Sequence, residues 1–156
     1  MDVLIDAPAE LVWELVSDVG VPARFSSELM EAHWLDPADG ATPGARFVGR
    51  SAHPAAGEWE TTSVVTICEP GRRFAWAVGG PADPSATWGF DLVPEGSGVR
   101  LREWARLGPG PSGLTPAIAA RPDKEERIIE RRLEEHRANM QATVEGIKAL
   151  AEDPTR

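Results

Sequence analysis

Between Pro122 and Pro154 the chain contains no proline, and across that stretch Ile129, Leu133, His136, Met140, Val144 and Ile147 recur at steps of three or four. That spacing places the six side chains on one face of a helix. A single long helix over 122–152 is therefore predicted, about 45 Å from end to end at 1.5 Å per residue. Its other face is Lys, Glu and Arg and reads as solvated surface. So long a one-sided helix needs a broad apolar surface to lie on, and the rest of the chain has to supply it.

The preceding pattern is that of strands. From Leu29 to about Leu107 short runs rich in Val, Thr, Trp and Phe are separated by Pro37, Pro43, Pro54, Pro70, Pro84 and Pro94, which predicts a meander of about six strands. The turns Glu69-Pro70-Gly71 and Glu95-Gly96-Ser97-Gly98 read as hairpin connections, so sequence neighbours should pair antiparallel. Ahead of the meander, residues 2–6 read as a short strand. Leu11, Val12, Leu15, Val16 and Val19 give a first helix from about Ala9 to Asp18, begun after Pro8 and closed by Gly20. The segment from Val21 to Glu28 follows as a second, short helix. Residues 108–122, with four prolines, suit a lid-like loop with at most one helical turn.

At 156 residues the chain fits one domain. A net charge of −9 disfavours phosphate backbones and anionic membrane surfaces as partners. The lone Cys68 cannot form an internal disulfide, and no leader or membrane-spanning apolar run opens the sequence, so a reducing cytoplasm is expected. His33, His53 and His136 are too scattered, with one cysteine, to make a short-spaced metal site. Neither a phosphate-binding Gly loop, a dinucleotide fingerprint nor a Gly-x-Ser-x-Gly elbow occurs. No metal and no cofactor are expected.

Several stretches are familiar: IDAPAELVWELVSDV at 5–19, RFSSEL at 24–29, GARFVGR at 44–50, EPGRRFAWAV at 69–78, ATWGFDLVP at 86–94 and MQATVEGIKALAE at 140–152. Over nearly its whole length the chain resembles the SRPBCC (START-like) superfamily, in its polyketide cyclase/dehydrase and lipid-transport branch. The resemblance implies an α+β helix-grip fold, a curved antiparallel sheet of about seven strands wrapped around the C-terminal helix. It also implies a deep cavity between sheet and helix, suited to lipids, aromatic polyketides and other hydrophobic metabolites. The chain departs from aromatase/cyclase members, which place phenols in the pocket, in having no Tyr.

Period-2 alternation sorts the strand residues by face. Phe74, Trp76 and Val78 share one face; so do Trp88, Phe90 and Leu92; so do Val99, Leu101, Glu103, Ala105 and Leu107. Thr61 and Ser63 keep phase with Trp59, Val65 and Ile67. Trp59, Trp76, Trp88 and Phe90, with Leu133 and Met140 from the helix, are then either core packing or a stacking wall for a planar ligand. Thr61 and Ser63 could turn hydroxyls inward to orient a carbonyl, or serve simply as strand residues. Trp13 and Trp104 look structural or surface-exposed, and Arg46, Arg50, Arg72 and Arg73 alternate outward.

Two inward polar residues carry the chemical argument. His136 interrupts the apolar stripe between Leu133 and Met140, and Glu103 interrupts that of its strand. A buried carboxylate needs a partner, which His136 or Arg132, one turn before it, could provide. Such a pair would be a structural ion pair or an acid/base couple. Glu28 reads as a gate residue or a cap.

Three functions remain open. One is a carrier or sequestering protein for a small hydrophobic molecule. The second is a polyketide cyclase or dehydratase performing aldol-type closure or dehydration, with His136 as base and Glu103 as acid. The third is an interaction module like the superfamily's co-chaperones. Two copies could pair as a homodimer through strand edges or helix faces.

Overall fold

The computed structural model describes residues 1–155. Seven strands form one antiparallel sheet: β1 Asp2–Ile5, β2 Leu29–Trp34, β3 Arg46–His53, β4 Gly57–Glu69, β5 Arg73–Val78, β6 Ala86–Glu95 and β7 Gly98–Leu107. Their spatial order is β1-β7-β6-β5-β4-β3-β2, so every hairpin neighbour in sequence pairs in space and the first strand closes against the last. Three α-helices accompany the sheet among the described residues: α1 Ala9–Ser17, α2 Thr115–Ala120 and α3 Glu125–Ala151. This is the α+β helix-grip architecture the resemblance implies.

Local chemistry accounts for the element ends. α1 starts after Pro8, whose carbonyl accepts from the amides of Leu11 and Val12, and its buried face is Val12, Leu15 and Val16. The second helix expected after Gly20 is only a 3-10 turn, Val21–Arg24, with Pro22 near its start. Between β4 and β5 the chain turns through Gly71 at φ +72, and between β6 and β7 through Gly96 at φ +63; both conformations favour glycine. In the predicted lid, α2 has no buried residue, and a 3-10 turn at Pro122–Lys124 follows it. α3 therefore begins at Glu125, three residues later than the spacing suggested, and runs about 40 Å.

Strand register defines the concave face. Opposite residues in an antiparallel pair share a face, which links Trp34, Phe47, Ser63 and Val78 across β2 to β5, and Val65, Trp76, Trp88 and Ala105 across β4 to β7. The next row is Cys68, Phe74, Phe90 and Glu103. Ile67 departs from the expected phase: the register shifts between Val65 and Ile67, and Ile67 pairs with Ala75 on the convex side. One extra residue in β4 is enough to flip it, because the side-chain period is two.

The core lies between this concave face and the helices. Ile5, Val65, Phe74, Phe90, Val99 and Leu101 from the sheet meet Val12, Leu15 and Val16 from α1 and Val144, Ile147 and Ala151 from α3. At Gly146 the approach of α3 to the turn after α1 is so close that a Cβ would sit 2.3 Å from the Phe25 ring. Trp13 packs edge-on against Phe74, at 6.3 Å between ring centroids. Trp104, on the convex face, lies over Gly89, where a Cβ would come within 2.5 Å of its ring. Of the two placements expected for these tryptophans, structural or surface-exposed, both take the structural one.

Candidate functional site

Aromatic rings pave the middle of the concave face. Trp34 meets Phe47 at 5.6 Å, Phe47 meets Trp76 at 5.8 Å, and Trp76 lies 5.4 Å from Phe74 and 6.0 Å from Phe90. Edge and tilted contacts of this kind let each ring offer its positive edge to a neighbour's negative face. Trp59, Thr61, Trp76 and Trp88 are half-buried, and Ser63, Phe90 and Met140 are buried. Trp34 and Phe47 belong to the same wall but were not singled out from sequence; the alternation of β2 and β3 carried that signal.

The two inward polar residues are indeed buried. His136 is 6% exposed and Glu103 5%. β7 places Glu103 opposite Phe90, and on its other side the amide of Glu103 donates to the carbonyl of Met1 at 2.9 Å. Backbone pairing on both edges therefore fixes where its carboxyl starts. That carboxyl is withdrawn from solvent, and its Oε2 is buried without a hydrogen-bond partner among the described residues. Burial pushes its pKa up to about 8, outweighing the opposing pull of the chain's amino terminus. At neutral pH Glu103 is accordingly a neutral carboxylic acid and a potential hydrogen-bond donor.

His136 stands on the α3 side of the same region. Its ring meets Trp88 edge-on, centroids 4.8 Å apart at 90°. Burial, followed by the positive charge of Arg132, lowers its pKa to about 4, so the imidazole is neutral across the physiological range. Trp88 pairs with Ala105, which puts Glu103 diagonally beside it on the neighbouring strand. Trp88 thus meets the imidazole directly and shares its sheet face with Glu103 at a diagonal register position.

Arg132, considered above as a partner for Glu103, is engaged elsewhere. Its guanidinium grips the Glu28 carboxylate with two hydrogen bonds, Nη1 to Oε2 at 2.6 Å and Nη2 to Oε1, and gives a third to Glu135 at 3.1 Å. Glu28 is consequently an ion-pair partner, not a helix cap. Sequence reasoning could not pair residues 104 positions apart; the available signal was only that Arg132 shares a helix face with His136. Thr143, buried at 3% on α3, is a further polar residue the sequence reading passed over.

Two open hollows mark the surface. The larger, about 720 Å³, runs from the turn at Pro122 along α3 to Arg137, with Ile129 and Leu133 in its wall. These two continue the stripe of His136 and Met140, so the hollow is the outward extension of the face that α3 turns to the sheet. The smaller, about 440 Å³, sits at the far ends of β4 and β5 beneath Pro111, with Thr61 and Val78 in its wall. Neither is lined by Trp76, Trp88, Glu103 or His136. Where the resemblance implies a deep chamber, Phe47, Phe74, Trp76 and Phe90 are in mutual contact; the larger hollow is walled by α3 and the turn before it, the smaller by the ends of β4 and β5.

Residues 1–152 match the family described as polyketide cyclase/dehydrase and lipid transport. Among solved structures, a polyketide cyclase-like protein from Corynebacterium glutamicum is 29% identical, over 97% of this chain and 87% of that one, with a TM-score of 0.60. The di-domain ARO/CYC protein BexL is 20% identical over 98% of this chain and 49% of its own, with a TM-score of 0.71. StfQ, the di-domain ARO/CYC of the steffimycin biosynthetic pathway, is 16% identical over 97% and 50%, with a TM-score of 0.64. The chain spans about half the length of each di-domain protein, and at those identities the likeness establishes a shared fold. No curated protein matches the sequence significantly.

Proposed function

This chain belongs to the polyketide cyclase/dehydrase and lipid transport family, and from that premise we propose that it holds a small, largely apolar, carbonyl-bearing molecule between the concave face and α3, as a carrier or sequestering protein. The observation that carries this reading is the buried Oε2 of Glu103, which lacks a hydrogen-bond partner among the described residues and belongs to a residue paired with Phe90 on the concave face. An unsatisfied buried polar atom costs about 1–3 kcal/mol. A ligand carbonyl accepting a hydrogen bond from the protonated carboxyl would recover that cost. Trp76, Trp88 and Phe90 supply rings for a planar body, with Trp59, Thr61, Ser63, Leu133 and Met140 around them. The hollow over Ile129 and Leu133 is the entrance on this reading, and ligand entry separates side chains that touch in the free protein.

Turnover is the second reading, and the two polar residues bear on it unequally. A general acid is most effective when it titrates near the working pH, as a carboxyl at about 8 does; an imidazole held near 4 is a weak proton acceptor. In a dehydration Glu103 would protonate the departing hydroxyl, with His136 receiving the proton from the carbon next to the carbonyl. The weakness of that base favours binding over catalysis.

The test is a fluorescence titration with a panel of aromatic ketones and fatty acyl compounds, since Trp76 and Trp88 should be quenched on contact. Saturable quenching by the carbonyl-bearing members is expected, with affinity weakened about tenfold or more in Glu103→Leu, which removes the donor. Absence of saturable quenching by every compound would refute the reading. For turnover, Glu103→Gln and His136→Ala should each lower the rate by about a hundredfold or more. An unchanged rate in both removes them from the mechanism.

A further inference from the structure

α3 is attached in two different ways along its length. Its C-terminal half carries Met140, Thr143, Val144, Ile147 and Ala151 into the core, whereas from Glu125 to Asn139 only His136 is buried. Polar contacts hold that first half instead. Besides the grip of Arg132 on Glu28, the Asn139 carbonyl oxygen Oδ1 accepts from both the amide and the hydroxyl of Ser27 at 2.9 Å. The backbone of Glu28 is itself pinned, because Ser26 Oγ accepts from the amides of Glu28 and Leu29 at 3.1 and 2.9 Å. His136 lies between these two anchor points, one turn after Arg132.

We propose that Glu28 and Arg132 form a positioning pair for His136: their ion pair fixes the turn of α3 that holds the imidazole against Trp88, and it supplies the balance of charge around the ring. The role matters for ligand handling only if His136 faces a ligand, so in that respect it rests on the binding reading above; the arrangement itself belongs to the free protein.

The geometry supports both halves of the statement. Side-chain exposures of 14% for Glu28 and 18% for Arg132 keep the pair out of bulk water, and charges so placed are screened less than those on the open surface. The charged groups that act on the ring are Arg132 and Glu135 from α3 and Glu28 from the segment before β2, and Glu135 is itself met by Arg131 Nε at 3.5 Å and by His53 Nε2 of β3 at 3.6 Å. The sheet side of the ring is met by Trp88 of β6, which carries no charge. Arg132 disfavours a proton on the imidazole, while Glu28 and Glu135 favour one. Two carboxylates therefore stand against one guanidinium, and burial tips the balance to the neutral ring.

The experiment is an NMR titration of the His136 ring in the ligand-free protein, comparing wild type with Glu28→Gln, Arg132→Met and Arg132→Lys. Glu28→Gln keeps a hydrogen-bonding partner for Arg132 but removes a negative charge, so the His136 midpoint should fall. Arg132→Met leaves two carboxylates facing the ring, and the midpoint should rise by about one pH unit or more. Arg132→Lys restores the charge and should return the midpoint close to wild type. A merely structural clasp would act differently: loosening it hydrates the ring, so Glu28→Gln and Arg132→Met would both rise towards 6.5. That common direction, or no movement in either, would overturn the proposal. Should Arg132→Met not fold, the fall in Glu28→Gln with the near-wild-type value in Arg132→Lys decides the matter. Because no ligand is present, failure here is distinct from failure of the fluorescence titration.

Discussion

Replacing Glu103 with Gln should flatten the dependence of stability on pH. In the unfolded chain the carboxyl titrates near 4.5, and in the folded chain near 8. Below 4.5 both states hold the proton and the group contributes no pH dependence. As the pH rises from 4.5 towards 8 the unfolded state releases its proton while the folded state keeps it, so stability is lost throughout that window. At about 1.4 kcal/mol per pH unit, the loss between pH 4.5 and 7 is about 3 kcal/mol. That is a large share of the 5–15 kcal/mol typical of a domain. Gln places an amide of similar shape in the same surroundings but cannot ionise, so whatever its packing costs is constant with pH.

The assay is urea denaturation followed by tryptophan fluorescence, wild type against Glu103→Gln, from pH 4.5 to 8. The difference in unfolding free energy should move by about 3 kcal/mol in favour of the variant between pH 4.5 and 7. His136 does not confuse the comparison. Its folded pKa lies below its unfolded value, so its contribution is lost as pH falls from 6.5 towards 4, and this occurs in both proteins. Parallel curves for the two proteins across the whole window would show that Glu103 is not held as a neutral acid, and the hydrogen-bond donor argued for above would go with it.

Two further expectations follow from the packing. Gly146→Ala should destabilise the protein by about 1–3 kcal/mol in the same denaturation assay, although glycine to alanine inside a helix ordinarily stabilises by up to about 1 kcal/mol; the reversal comes from the Phe25 ring 2.3 Å from the new Cβ. Cys68, whose thiol is pushed up in pKa by burial and whose Sγ donates to the Ala41 carbonyl at 3.2 Å, should react with a thiol reagent at least about tenfold more slowly in the native protein than in urea. Equal rates would place that thiol in the open.

Much of the fold was legible because it depends on short-range periodicity. The proline-free stripe from Ile129 to Ile147 could only be a helix with one wet face, and the alternation in β5, β6 and β7 sorted Phe74, Trp76, Trp88, Phe90 and Glu103 onto a common side. The burial of His136 and Glu103 followed from the same rule, since each keeps phase with apolar neighbours. The register flip at Ile67 was not legible, because a single extra residue in β4 is a property of how two strands pair. Nor was the start of α3 at Glu125, where a 3-10 turn occupies the residues around Pro122.

What the sequence determined alone, then, is which side chains face inward wherever the strand period runs unbroken, as it does not at Ile67: covalent geometry gives strands and helices fixed periods, and those periods are written in the order of residues. Which inward groups meet was decided only by the tertiary structure. Glu28 finds Arg132 across 104 positions, Trp88 and not Glu103 receives the imidazole of His136, and Oε2 of Glu103 is left without a hydrogen-bond partner among the described residues. Such pairings depend on the path of the chain between distant elements, and no local period encodes that path.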